Sequence, residues 1–200
     1  MMNSEVATLV GLHIGDGYLG EHKVKWKNKI WVNRKWTLNA GYDYDFALNV
    51  KNLVENLGYK ARIYPKDKIY FVVQSTSIWR LIKIFFPIKK YAETVDIPKE
   101  FIKKWGLAKN VLRGIFSCDG CVGFTNNYKN VYISFDTKSK RLANSIYKLL
   151  KEQDFNAHFY QFKGGNMFSV RIFKKSDMKR FMKEINSFNP KHYERFAGVR

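Results

Sequence analysis

Nine residues occur twice in this chain, and that repeat limits what the chain can fold into more than any other feature. Leu9-Val10-Gly11-Leu12-His13-Ile14-Gly15-Asp16-Gly17 is matched by Leu112-Arg113-Gly114-Ile115-Phe116-Ser117-Cys118-Asp119-Gly120. Both read Leu-x-Gly-(Leu or Ile)-x-x-small-Asp-Gly. The two aspartates stand 103 positions apart in 200 residues. A period near half the chain is the mark of a duplicated unit, and a unit of about 100 residues is large enough to bury its own core.

Each copy has the spacing of a helix that stops at Asp-Gly. Val6, Leu9, Val10, His13 and Ile14 recur at helical intervals, with Ser4 expected as N-cap and Glu5 in the first turn; Val111, Leu112, Ile115 and Phe116 repeat the pattern. Glycine is the usual helix stop. Gly11 and Gly15 share a face, as do Gly114 and Cys118, and small residues four apart let two backbones approach. The two copies are therefore expected to pack helix against helix. Each aspartate then meets the negative end of a helix dipole, at a cost of about 0.3–1 kcal/mol. A local rule broken in both copies points to a functional site. A divalent cation would relieve the repulsion, and carboxylates with water and phosphate oxygens suit Mg²⁺.

These stretches resemble the two motifs of a single-chain LAGLIDADG homing endonuclease. The Leu-x-Gly opening and the Asp-Gly close match in both copies; the middle, His13-Ile14-Gly15 and Phe116-Ser117-Cys118, diverges.

The composition narrows the partner. Lys plus Arg number 36 against 17 Asp plus Glu, a net charge of +19 and a pI near 9.9. Such an imbalance fits a polyanionic partner, and 16% aromatic content argues against a disordered basic tail. The two cysteines, Cys118 and Cys121, flank Asp119; without a second pair they make neither a zinc site nor a disulfide framework and are read as structural. The lack of a disulfide framework leads to the expectation of an intracellular protein, and high Lys, Asn, Ile and Tyr suggest an archaeal cytoplasm or an organelle matrix. A soluble protein is expected because Val6–Ile14 is too short for a membrane span and is interrupted by Thr8, Gly11 and His13.

Between the motifs, period-two alternation marks strands. Lys23, Lys25 and Lys27 alternate with Val24 and Trp26, and Lys35, Thr37 and Asn39 with Trp36 and Leu38, with turns expected at Asn28-Lys29 and Asn33-Arg34. A helix follows from Asp45 to Asn56, then strands around Ala61–Tyr64 and Ile69–Gln74, then a helix over Ile78–Phe86 halted by Pro87. The second half repeats the order: a strand at Cys121–Thr125, a turn at Asn126-Asn127, a strand around Val131–Asp136, a helix over Lys140–Gln153, a hairpin of Asn156–Lys163 and Met167–Phe173, and a helix over Asp177–Phe188. The segment Tyr59–Tyr64 aligns with Phe155–Tyr160 at an offset of 96, so the first hairpin is seven residues longer than the second. The fold class is α+β. Two pseudo-symmetric α-β-β-α-β-β-α subdomains are expected, each an antiparallel four-stranded saddle sheet backed by helices, joined through the paired motif helices. The boundaries are 1–88 for the first repeat, 89–106 for a linker and 107–200 for the second repeat.

One face of each sheet is then left for nucleic acid. The first copy would present Lys23, Lys25, Lys35, Thr37, Asn39, Arg62, Tyr64, Tyr70 and Gln74. The second would present Thr125, Tyr132, Ser134, Asp136, Lys138, His158, Tyr160, Ser169 and Arg171. These include types that bond base edges in the major groove and types that neutralise phosphates.

The resemblance implies more. It implies sheets astride double-stranded DNA, one phosphodiester hydrolysed per strand, short 3′ overhangs, a long asymmetric target, and a monomer acting as a pseudo-dimer. It carries the metal-binding acids onto Asp16 and Asp119, with the carbonyls of Gly15 and Cys118 as further ligands. Mg²⁺ is the expected cofactor, with Mn²⁺ as substitute and Ca²⁺ supporting binding only. The family's common Gln near each centre has no match at the aligned Gly41 and Thr137, so Gln74, Lys174, Lys138 and Arg171 are the candidate helpers. A non-cleaving nucleic-acid-binding protein of the same fold, an intron-RNA maturase or a DNA-binding regulator, is the alternative. An intein is disfavoured, because the chain lacks an N-terminal splicing block and a terminal His-Asn.

Overall fold

The computed structural model describes residues 2–27, 29–125 and 130–198. The expected Asn126-Asn127 turn lies outside them, as does Asn28 of the first hairpin turn. The first half runs α1 (Ser4–Ile14), β1 (Gly17–Trp26), β2 (Lys29–Asn39), α2 (Tyr44–Asn56), β3 (Arg62–Lys66), β4 (Ile69–Ser75) and α3 (Ser77–Lys83). A short α4 (Lys99–Ile102) precedes the second half: α5 (Trp105–Asp119), β5 (Gly120–Thr125), β6 (Asn130–Thr137), α6 (Lys140–Glu152), β7 (Ala157–Gln161), β8 (Phe168–Ile172), α7 (Lys175–Glu184) and α8 (Pro190–Ala197). The α-β-β-α-β-β-α plan is present twice. Each sheet is antiparallel and four-stranded, with order β1-β2-β4-β3 and β5-β6-β8-β7.

The chain divides into two compact units. One comprises Met1–Gly15 with Tyr91–Arg200, and the other Asp16–Lys90. In the first unit α1 lies against α5, and the repeated small residues are the reason. A methyl group built on Gly11 would stand inside contact distance of the Val111 carbonyl oxygen and 2.9 Å from the Gly114 Cα. One built on Gly114 would run into the Thr8 carbonyl oxygen and lie 2.5 Å from the Leu12 nitrogen. One on Gly15 would strike Cys118. The obstacles at Gly11 and Gly114 are backbone, so only residues without a side chain allow the approach. Beneath α5 the core is aromatic: Phe116 packs 5.4 Å from Phe135 and 4.9 Å from Phe181, ring centre to ring centre. In the second unit Leu19, Trp36, Leu38 and Val72 are fully buried on the side of the sheet that packs against α2 and α3, and Phe46, Val50, Ile78 and Ile82 of those helices are buried too.

Local capping differs from expectation at several ends. Asn3, not Ser4, caps α1, its Oδ1 accepting from the Val6 N–H at 2.9 Å. Asn33-Arg34 is not a turn but lies inside an unbroken β2, because Asn33 pairs with His22 and Arg34 with Glu21 across the ladder. Pro190 is not the stop of the helix expected over Asp177–Phe188, which ends at Glu184 as α7. It occupies the first position of a further one, α8, behind an Asn189 cap, where proline's missing N–H costs nothing. The 185–189 turn before it is held by α5: Arg113 Nε donates to the Ile185 carbonyl at 2.6 Å, and the Phe188 N–H donates to Ser117 Oγ at 2.8 Å.

Candidate nucleic-acid interface

Strand register decides which side chains share a face. In the second unit of the fold, Asp16–Lys90, Tyr18 pairs with Thr37, Thr37 with Val73, and Val73 with Arg62. These positions, and those two residues on either side, face away from the buried Leu19, Trp36, Leu38 and Val72. They line a concavity of about 890 Å³ with Asp16, Tyr18, His22, Asn33, Lys35, Thr37, Asn39, Tyr64, Lys66, Phe71 and Val73 on its walls. Lys35, Thr37, Asn39 and Tyr64 were expected there. Tyr18, His22, Asn33, Lys66 and the apolar floor of Phe71 and Val73 were not. Counting alternation outward from Leu19 would have found Tyr18 and His22.

Four expected members leave this face. Gln74 is 6% exposed, and its Oε1 accepts from the Ile78 N–H at 2.8 Å, capping α3 where Thr76 supplies no side-chain bond. Tyr70 is half-buried on the same side, its ring 5.3 Å from Tyr44 of α2. Lys23 and Lys25 pair with Val32 and Ile30, on the side opposite Lys35. The cause in β4 is an inner strand that is apolar on both faces: Val72 is the core residue, and Phe71 and Val73 line the open side. With 17 acids for 36 cations, at least half of the Lys and Arg side chains have no carboxylate to pair with.

The sheet of the other unit follows the expected alternation throughout. Ser134 pairs with Arg171, Asp136 with Ser169, His158 with Arg171 and Tyr160 with Ser169, while Ile133, Phe135, Val170 and Ile172 face the core. Tyr132 and Thr125 lie on the polar side. Arg171 dominates it. Its guanidinium lies 4.8 Å from the Tyr132 ring centre and 5.4 Å from those of Tyr160 and Phe162, and its Nε donates to Ser169 Oγ at 3.0 Å. Ser134 Oγ donates to Asp136 Oδ2 at 3.1 Å. Ser134 and Ser169 are fully buried beneath these neighbours, so they position other side chains instead of facing solvent. Lys138 and Lys174 are exposed at the ends of β6 and β8, and Lys174 opens α7.

The motif acids end their helices differently. Asp119 is the last residue of α5 and is half-buried; its Oδ2 lies 3.4 Å from where a Gly15 Cβ would be. Asp16 follows Gly15, the cap of α1, and is exposed on the wall of the concavity. Cys118 turns its Sγ to the Leu12 carbonyl at 3.7 Å, and the Cys121 Sγ meets Arg195 at 3.9 Å; neither cysteine forms a disulfide. Burial pushes the Cys121 thiol up from its ordinary value, partly offset by Arg195. Among the described residues no cluster of three His, Cys, Asp or Glu side chains forms. Carboxylates and helix-end carbonyls are hard oxygen donors, the set that suits Mg²⁺, an ion that keeps several waters and takes substrate phosphate oxygens. The donor chemistry thus fits. Among the described residues no helix is long and apolar enough to cross a membrane.

Residues 107–186 match the family of LAGLIDADG-like domains. An uncharacterized protein of Methanocaldococcus jannaschii, MJ1054, is 28% identical over 156 residues; the match takes 75% of this chain and 17% of that protein, so the chain spans about a sixth of this curated relative. Among solved structures, I-DmoI in complex with DNA and Ca aligns with TM-score 0.63 at 17% identity, covering 97% of this chain and 96% of that one. The N-terminal LAGLIDADG domain of DUF199/WhiA aligns with TM-score 0.58 at 16% identity, over 91% and 80%. These likenesses establish the fold, which a homing endonuclease and DUF199/WhiA share.

Proposed function

We propose that this chain, which carries a LAGLIDADG-like domain at 107–186 and the LAGLIDADG fold throughout, is a site-specific double-strand DNA endonuclease that hydrolyses one phosphodiester per strand of a long asymmetric target. The observation that carries this reading is that each motif helix has a carboxylate at its C-terminal end, Asp119 as the last residue of α5 and Asp16 just beyond the Gly15 cap of α1, where the helix dipole disfavours one. The relatives solved with DNA together with Mn or Ca support a divalent requirement. Asp16 and Asp119, with the carbonyls of Gly15 and Cys118, would hold Mg²⁺, which supplies an activated water and charge stabilisation at the phosphate.

The chain's own side chains do the rest. Lys35, Arg62 and Lys66 neutralise backbone phosphates, and Asn39, Thr37 and Arg171 address base edges in the major groove. Lys138 and Lys174, both exposed, are the remaining helpers able to steady a phosphate; Gln74, committed to α3, is not among them. A second reading, a DNA-binding protein that does not cleave, draws on the likeness to the DUF199/WhiA domain, since a shared fold does not carry activity.

The test is incubation of a randomised duplex library with Mg²⁺, followed by sequencing of the ends. Discrete ends with short 3′ overhangs, abolished in Asp119→Asn and in Asp16→Asn while binding in Ca²⁺ persists, are expected. Sequence-selective binding without any cleavage would replace this reading by the second.

A further inference from the structure

The two sheet faces differ in chemistry. On the open-face strand positions of the first sheet stand Lys29, Lys35, Arg62 and Lys66. On those of the second sheet, among the described residues, Arg171 is the one Lys or Arg.

Arg171 is also fixed. Tyr132, Tyr160 and Phe162 surround the guanidinium plane, and Ser169 takes its Nε–H. Arg171 forms no ion pair among the described residues. The nearby Asp136 is engaged with Ser134 instead. The Nη1 and Nη2 groups are left as two parallel donors on a side chain whose rotamer freedom is already lost. A mobile surface cation contacts phosphate as a point charge; a locked, planar, two-donor fork matches a pair of acceptors in one plane. In the major groove that pair is O6 and N7 of guanine, and no other base presents two acceptors there.

Gly123 makes the lock possible. A methyl built on it would overlap the Tyr132 ring and lie 2.6 Å from its hydroxyl, so only glycine at this β5 position lets the ring lie flat beneath Arg171.

Resting on the reading of this face as a duplex-binding surface, we propose that Arg171 selects guanine at one position of the target, held for that task by Tyr132, Tyr160, Phe162 and Ser169.

The experiment is selection of bound sequences from a randomised duplex pool by the full chain in Ca²⁺, which requires no cleavage, for the wild type and for Arg171→Gln and Gly123→Ala. The wild type is expected to recover one position dominated by guanine. In Arg171→Gln that position should lose guanine by about 10- to 100-fold and shift towards adenine, whose N6 and N7 suit an amide, while other positions stay as they were. In Gly123→Ala the same position alone should blur, because the arginine remains but its platform has moved. A circular-dichroism melt checks that both variants are folded. An unchanged sequence profile with uniformly weaker binding would make Arg171 a phosphate contact and overturn the proposal. Wild-type binding to duplex DNA without sequence preference, or no binding at all, would instead overturn the reading of the face on which it rests.

Discussion

Replacing Gly11 by alanine tests the central packing claim with one methyl group. Helix propensity alone makes Gly→Ala in a helix interior favourable by about 1 kcal/mol. Against this, the new Cβ would overlap the Val111 carbonyl oxygen and sit 2.9 Å from both the Val111 carbonyl carbon and the Gly114 Cα. All three atoms are α5 backbone, which cannot rotate away as a side-chain end can, so the two helices must separate. Forced overpacking costs about 1–3 kcal/mol, and more where nothing yields. With the steric cost at or above the top of that range, the net expectation is a loss of about 2 kcal/mol or more. Gly106→Ala is the internal control: it lies in the first turn of the same α5 with nothing within 4 Å of a built Cβ, so only the favourable term, up to about 1 kcal/mol, remains. Urea unfolding of the three proteins measures both. Opposite signs at Gly11 and Gly106 are expected. Equal, small effects would mean that α1 and α5 are not in backbone contact, and the account of why the motif carries small residues would fail.

Other perturbations separate the remaining roles. Gln74→Ala should lower stability by about 0.5–2 kcal/mol through loss of the α3 cap, and leave turnover unchanged where the protein is folded; lost cleavage at full stability would restore Gln74 as a catalytic helper. Duplex affinity should fall by about a thousandfold or more between roughly 50 and 200 mM salt if six or more phosphates are contacted; a flat titration would remove the argument from net charge. Lys35→Ala should weaken duplex binding more than Lys23→Ala or Lys25→Ala, because register puts those two on the other side of the ribbon; equal losses would show both sides engaged.

The sequence made some layers legible and hid others for identifiable reasons. The duplication, the element order and the helix pair follow from residues that repeat: Gly11 with Gly114, Asp16-Gly17 with Asp119-Gly120, and Tyr59–Tyr64 with Phe155–Tyr160. The face assignment succeeded in β6 and β8, where Ser134, Asp136, Ser169 and Arg171 alternate with Ile133, Phe135, Val170 and Ile172. It failed in β4, where Phe71, Val72 and Val73 are apolar in succession and alternation carries no phase. Only the pairing of Val72 with Leu38 and Ile63 supplies it. It fails again in the first ribbon, where alternation alone puts Lys23, Lys25 and Lys35 on one face although antiparallel pairing sets Lys23 across from Val32. Helix α8 is hidden in the sequence because a proline marks a helix stop, and behind an asparagine cap it is equally a start.

The duplicated plan and the unequal faces together bear on what kind of target suits the chain. Selection on a symmetric target would keep the same readers in both sheets, since each would meet the same bases. Here Tyr64 and Tyr160 match, but other aligned positions diverge: Arg62 stands where His158 does, and among the described residues the aromatic cradle around Arg171 has no counterpart in the first sheet, where Val73 occupies the place opposite Arg62. The first face is broad and cationic, suited to tracking phosphates over a wide concavity; the second concentrates one locked donor pair among aromatic rings. Under the proposed reading, a partner suited to both faces would be an asymmetric polyanion, with sequence discrimination weighted to the half read by the second sheet. A binding-selection profile is expected to be information-rich on one side and shallow on the other. A palindromic profile would show that the divergence of the faces has no bearing on recognition.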